Sequence, residues 1–81
     1  MKLASKTNNY YMNKDYLLLF AKHLKSLREA KKFTQDDIGV NGISRSMISL
    51  LEIAGTDVTI TKLKIIADNL GVKVKDLFDF E

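Results

Sequence analysis

The sequence has no cysteine, no proline, no tryptophan and a single histidine, His23. Without cysteine there is neither a disulfide framework nor a thiolate nucleophile, and one imidazole cannot assemble a His/Cys zinc site. A reducing cytoplasm is the expected setting. Without proline, helix boundaries must be marked by glycine and by capping side chains. Long apolar runs are also missing. The longest unbroken one is Tyr16 to Ala21, far short of the roughly 18 residues that suggest a membrane-spanning helix. Near the amino end, Thr7, Asn8 and Asn9 stand where a secretion signal needs its apolar centre, so secretion is not expected. There is no glycine-rich phosphate loop and no acid-base constellation around His23, so neither an enzyme nor a cofactor or small-molecule substrate is expected.

What is present suits one small domain. Of 81 residues, 46% are hydrophobic and 28% charged, and a chain of this size buries only about 60% of its unfolded surface. The net charge of +3 is unevenly spread: residues 1–33 carry eight basic and two acidic side chains, residues 34–81 five basic and eight acidic. A basic amino-terminal part is compatible with phosphate contact through counterion release, although a solvated lysine face explains the charge at least as well.

The first 13 residues are polar, lack an apolar period and read as a tail, with Tyr10, Tyr11 and Met12 able to dock; residues 14–81 form the expected domain. From Asp15, the residues Leu17, Phe20, Leu24, Leu27 and Lys31 follow helical spacing, with Lys22, Lys25 and Glu29 opposite. His23 belongs with that exposed side. Thr34, followed by Gln35, Asp36 and Asp37, is a helix start: a capping oxygen, then carboxylates at the positive end of the helix dipole. Gly39, Asn41 and Gly42 are too dense in turn formers for a helix to continue. Ser44 can cap a third helix with Met47 or Ile48 and Leu51 inward, ending near Ala54 and Gly55. Thr59 or Thr61 can start a fourth, with Leu63, Ile66, Ala67 and Leu70 inward and Gly71 as a left-handed terminator. Val72 to Phe78 suits a last short helix. An all-α bundle of about five helices follows, with a short helix, tight turn and helix at its centre, the order of a helix-turn-helix.

The stretch LKSLREAKKFTQDDIGVNGISRSMISLLE, continued by TITKLKIIADNLGVKVKDLF, resembles the phage-repressor and Cro-like family, also called the Xre family. Leu-Arg-Glu near the end of helix 1, Thr-Gln opening helix 2, Gly-Ile-Ser-Arg-Ser leading into helix 3 and Leu-Gly-Val before the last turn agree in order, over about Phe20 to Phe78. The resemblance implies a lambda-repressor-like fold and a transcription regulator that binds double-stranded DNA, as a homodimer on a near-palindromic operator. It covers phage repressors and restriction-modification controllers alike. A protein-interaction module of the same fold, such as an antitoxin or antirepressor-like partner, is the alternative, using Leu50, Ile53, Phe78 and Phe80 as an apolar contact. The terminal segment Asp76 to Glu81 is also expected to contribute to the dimer contact.

Carried over residue by residue, the resemblance places Gln35 where the family reaches a DNA phosphate. Ser44, Arg45, Ser46, Ser49 and Leu50 match the outward positions of the recognition helix, Arg45 being the strongest candidate because its guanidinium can pair with guanine O6 and N7 or clamp a phosphate, a surface ion pair being the plain alternative. Ser46 and Ser49 can bond bases or phosphates, and Leu50 can touch a thymine methyl. Lys22, Lys25, Lys31 and Lys32 could reach phosphates from helix 1, or form a solvated face. Arg28 and Glu52 match a family salt bridge that positions the motif, and Ile43, Ile48, Leu51, Leu63, Ile66 and Leu70 match core positions. Two features depart from the family pattern. Between Thr-Gln and Gly-Ile-Ser the chain is one residue short, which predicts an early end to helix 2. Ile53 to Ile60 contains Asp57 and no Lys or Arg, so that loop supplies no cationic contact.

Overall fold

Asn13 sets the first boundary, its side-chain oxygen accepting from the Tyr16 amide at 3.1 Å and opening helix α1, Lys14–Ala30. The computed structural model describes residues 12–81; the segment expected to be a tail, with Tyr10 and Tyr11, lies outside the described residues except for its end. Leu17, Phe20, Ala21, Leu24 and Arg28 form the buried face of α1, the stripe that 3.6-residue periodicity requires. Lys31, expected in that series, is exposed, because the helix has ended and the chain turns at Lys32, whose φ is +63°. Leu18 and Leu19 lie on the outer side, 45% and 50% exposed.

Thr34 opens α2, Gln35–Ile38, in a reciprocal cap: its hydroxyl oxygen accepts from the Asp37 amide, and the Asp37 carboxylate accepts from the Thr34 amide. The helix is one turn long. Asn41 and Gly42 then adopt positive φ values of 58° and 101°. Ser44 caps α3, Arg45–Glu52, by accepting from the Met47 amide at 3.0 Å. Ile48 and Leu51 face inward and Met47 is half-buried. Thr59, not Thr61, caps α4, Ile60–Leu70, and Gly71 closes it at φ +75°. A 3₁₀ turn over Val74–Phe78 follows, its start secured by the Lys73 amide donating to the Asp76 carboxylate.

The core is continuous across all five elements. Leu24 of α1, Ile38 of α2, Ile48 and Leu51 of α3, Ile66 and Leu70 of α4 and Leu77 of the 3₁₀ turn are fully buried. Four helices and a turn, with no strand among the described residues, make the fold all-helical. A smaller cluster of Leu17, Ala21 and Ala54, covered by Met12, joins α1 to the end of α3.

The terminal segment corrects two expectations. His23 is half-buried rather than on the solvated face: its Nε2 lies 2.7 Å from the Asp76 carbonyl and its ring packs on Phe80. Phe78 and Phe80 are not a free apolar end. Phe78 packs on Phe20, and Phe80 lies between Tyr16 and His23, because packing on α1 removes apolar ring area from water that a free end would leave exposed.

Two glycines are needed for different reasons. A Cβ on Gly39 would lie 2.7 Å from the Arg45 amide nitrogen and 2.8 Å from its Cα, so the α2–α3 turn closes only over a bare backbone. At Gly71 a Cβ meets nothing within 4 Å, and the positive φ alone opposes substitution. Gly39→Ala is therefore expected to cost about 2–3 kcal/mol by forcing backbone apart, against about 1 kcal/mol for Gly71→Ala. Thermal unfolding of the two variants checks the order, and a Gly71→Ala loss larger than that of Gly39→Ala contradicts it.

Candidate nucleic-acid interface

Arg28 sits in the last turn of α1 and Glu52 is the last residue of α3, and their side chains are 10% and 2% exposed. The pairing is bidentate: Nε donates to Oε2 at 2.7 Å and Nη2 to Oε1 at 2.9 Å. The remaining Nη1 donates to the Phe33 carbonyl at 2.9 Å. Gln35, the first residue of α2, donates from Nε2 to the same Oε1 at 3.0 Å. One carboxylate thus gathers α1, the α1–α2 turn, α2 and α3. Burial pushes the Glu52 carboxyl up, but the hydrogen bonds from Arg28 and Gln35, with the charges of Arg28 and Lys25, outweigh it and hold the group below the ordinary carboxylate range. The same hydrogen bond to Glu52 raises Arg28.

From this anchor α3 projects with its amino-terminal end outward. Ser44, Arg45 and Ser46 are exposed, Ser49 is half-buried and Leu50 is 43% exposed. Ser44 already uses its oxygen on the cap but keeps a hydroxyl proton to donate. Arg45 reaches back to α2, its Nε 3.5 Å from Asp36 Oδ1, with both side chains largely in solvent. The two carboxylates at the start of α2 therefore differ: Asp37 completes the cap, whereas Asp36 faces Arg45 of α3. Lys25 is exposed on α1, near enough to Glu52 to be felt by its charge. Lys22, Lys31 and Lys32 are exposed as well. Gln35, Ser44, Arg45, Ser46, Ser49 and Leu50 share the α2–α3 unit, with Lys25 on α1 beside its base.

Three supporting residues were not expected from the sequence. Asn69 of α4 donates to the carbonyls of Ile38 and Val40 at 3.0 and 2.9 Å and accepts from Asn41 at 2.8 Å, closing the carboxyl end of α2. Its sequence signal is an amide directly before the last buried leucine of a helix, a poor helix former kept where apolar packing has no use for it. Lys14 Nζ donates to the Ala54 carbonyl at 2.7 Å, placing a cation at the end of α3, where Ala54 has φ +56°. Asp36 had been accounted for by the helix start alone. Among the described residues no group of His, Cys, Asp and Glu could hold a metal ion, and no helix is long and apolar enough to cross a membrane.

A family model described as helix-turn-helix matches residues 24–77. The chain belongs to this helix-turn-helix family, the Xre and Cro type. Among solved structures, the chain is similar to the restriction-modification controller protein C.AhdI from Aeromonas hydrophila. The two share 27% identity at a TM-score of 0.73, over 76% of this chain and 96% of that one. No curated protein matches the chain. The matched span starts at Leu24 and ends at Leu77, two of the fully buried residues, so it takes in α2, α3, α4 and the part of α1 that carries Arg28. The family match and the likeness to a controller protein support a DNA-binding transcription regulator.

Removing either partner of the buried pair leaves a charge without its counterpart, so Arg28→Ala and Glu52→Gln are each expected to cost about 3 kcal/mol at neutral pH. Because the folded state holds the Glu52 carboxyl low, its contribution is complete above the ordinary carboxylate pKa and is lost as pH falls through the folded value. The stability gap between the parent and Glu52→Gln, read from urea unfolding, should then shrink on acidification from about pH 7 to about pH 3. A gap that stays constant over that range argues against an ionised, paired Glu52.

Proposed function

We propose that the chain is a sequence-specific transcription regulator of double-stranded DNA, working in the cytoplasm as a homodimer. Residues 14–81 are its binding unit and residues 1–13 an accessory tail. The observation that carries this reading is the mounting of α3: its last residue is tied into a buried four-part network, while Ser44, Arg45 and Ser46 at its first turn face solvent. A helix held at its base and open at its amino-terminal end is what major-groove reading requires. Arg45 is assigned to a base edge, guanine being the best match for its fork, and Ser46 and Ser49 to bases or phosphates. Ser44 and Gln35 are assigned to the backbone. Gln35 spends one amide proton on Glu52 and has a second for a phosphate oxygen. Leu50 serves a thymine methyl and Lys25 a phosphate beside the motif.

The likeness to a restriction-modification controller protein favours the regulator, and the homodimer belongs to the proposal. Two recognition helices then meet successive major grooves about 34 Å apart. A second reading, a protein-interaction module, draws on Leu50 and Ile53, 43% and 67% exposed on one end of α3. Phe78 and Phe80 no longer support it, since both rings pack on the chain itself.

Titration against the chain's own upstream DNA and an unrelated duplex at two salt concentrations separates the two. Regulation predicts preference for the upstream DNA, a steep fall with salt, and loss of about 1–3 kcal/mol of discrimination in Arg45→Ala. Equal, weak binding to both duplexes favours the protein-interaction reading.

A further inference from the structure

Arg45 is the one cation on α3, and a lone arginine on a long flexible stem discriminates poorly unless something orients its guanidinium. In this fold the orienting group is in place. Asp36, the second residue of α2, puts Oδ1 3.5 Å from Arg45 Nε. Its neighbour Asp37 is consumed by the cap on Thr34, so Asp36 is the carboxylate available to the recognition helix. Both partners are held by backbone that cannot slide: α2 is pinned at its start by the cap and by Gln35 on Glu52, and Gly39 brings α2 against the backbone of Arg45. A carboxylate at Nε leaves both terminal nitrogens of the guanidinium unused, and these form the fork that pairs with O6 and N7 of guanine. Asp36 also places a negative charge beside the groove face, where it repels phosphate.

We propose that Asp36 is a positioning residue that sets DNA specificity: it aims the Arg45 fork at a guanine edge and discourages Arg45 from resting on phosphate. The inference rests on the DNA-reading role of α3. With side chains 63% and 78% exposed, such a pair shifts an equilibrium by up to about fivefold. That is small for stability and sufficient to reweight two kinds of DNA contact. The pair is weak enough to open and re-form as the protein scans sequence.

The test is a double-mutant cycle on the full chain with Asp36→Asn, Arg45→Ala and both changes. Affinities are measured for a duplex selected by the parent from a random-sequence pool and for an unrelated duplex. Asp36→Asn is expected to weaken the selected duplex by about threefold to fivefold and to tighten the unrelated one, so their ratio falls. With Arg45→Ala already present, Asp36→Asn should leave the ratio unchanged. Equal tightening of both duplexes, or the same drop in ratio without Arg45, overturns the proposal in favour of bulk charge. A readout without DNA runs beside it: the Arg45 Nε–Hε signal should lose order in the heteronuclear NOE of Asp36→Asn, and an unchanged NOE also overturns the proposal. A parent that selects no duplex defeats the DNA-reading role and this inference together, whereas a discriminating parent with an insensitive Asp36→Asn defeats this inference alone.

Discussion

The helix-turn-helix depends on one buried carboxylate. Glu52 accepts from Arg28 twice and from Gln35 once, while the same guanidinium holds the Phe33 carbonyl. Apolar packing alone would leave α3 free to rotate or slide, because hydrophobic attraction has little direction. A bidentate fork tolerates neither motion. A buried ion pair is weak evidence of net stability when weighed against an apolar replacement. Its use in this chain is orientation: it fixes where the first turn of α3 points, and everything proposed about DNA follows from that direction.

The rest of the fold supplies what a fixed α3 needs. An α2 of one turn has too few internal hydrogen bonds to persist alone, and it is closed at both ends from elsewhere. Thr34 and Asp37 cap its start, and Asn69 from α4 takes the carbonyls of Ile38 and Val40. The shortened α2–α3 connection leaves no room for a Cβ at Gly39, which brings Asp36 within reach of Arg45. At the other end of α3, Lys14 meets the Ala54 carbonyl, and Ile48 and Leu51 of α3 sit with Ile38 of α2 in the common core. Of the α1 lysines, Lys14 is thus spent on structure, while Lys22 and Lys25 stay exposed.

What could be read from the sequence was what depends on near neighbours or on a resemblance. The caps at Thr34 and Ser44, the left-handed end at Gly71 and the inward stripe of α4 are local patterns, and each follows from spacing and side-chain chemistry within a few residues. The Arg28 and Glu52 positions came from the family pattern, since periodicity does not show that residues 24 apart meet. The contacts missed are longer or less regular. His23 meets Asp76 across 53 positions and Asn69 meets Ile38 across 31. A half-buried histidine and a solvated one have the same helical phase until the partner element is placed. Asp36 was read correctly as a helix-start carboxylate, but its contact with Arg45 was missed. A dipole explanation already accounted for both carboxylates, and only the geometry of the cap shows that one of them is left over.

Charge distribution then decides how such a protein can bind. The reading helix carries one arginine, and its carboxyl-terminal loop, Ile53 to Ile60, carries no cation. On the proposed reading, nonspecific attraction would draw on α1 and the turn after it, where Lys22, Lys25, Lys31 and Lys32 are exposed. Separating the two tasks has a physical consequence. On the proposed reading, lysines on and just after α1 would add affinity for any duplex, and salt would weaken that share of binding most. The α3 face would add discrimination through geometry that salt affects less, provided Arg45 arrives already oriented. A recognition helix poor in cations is then no defect, because each further cation on α3 would raise binding to wrong sequences along with the right one.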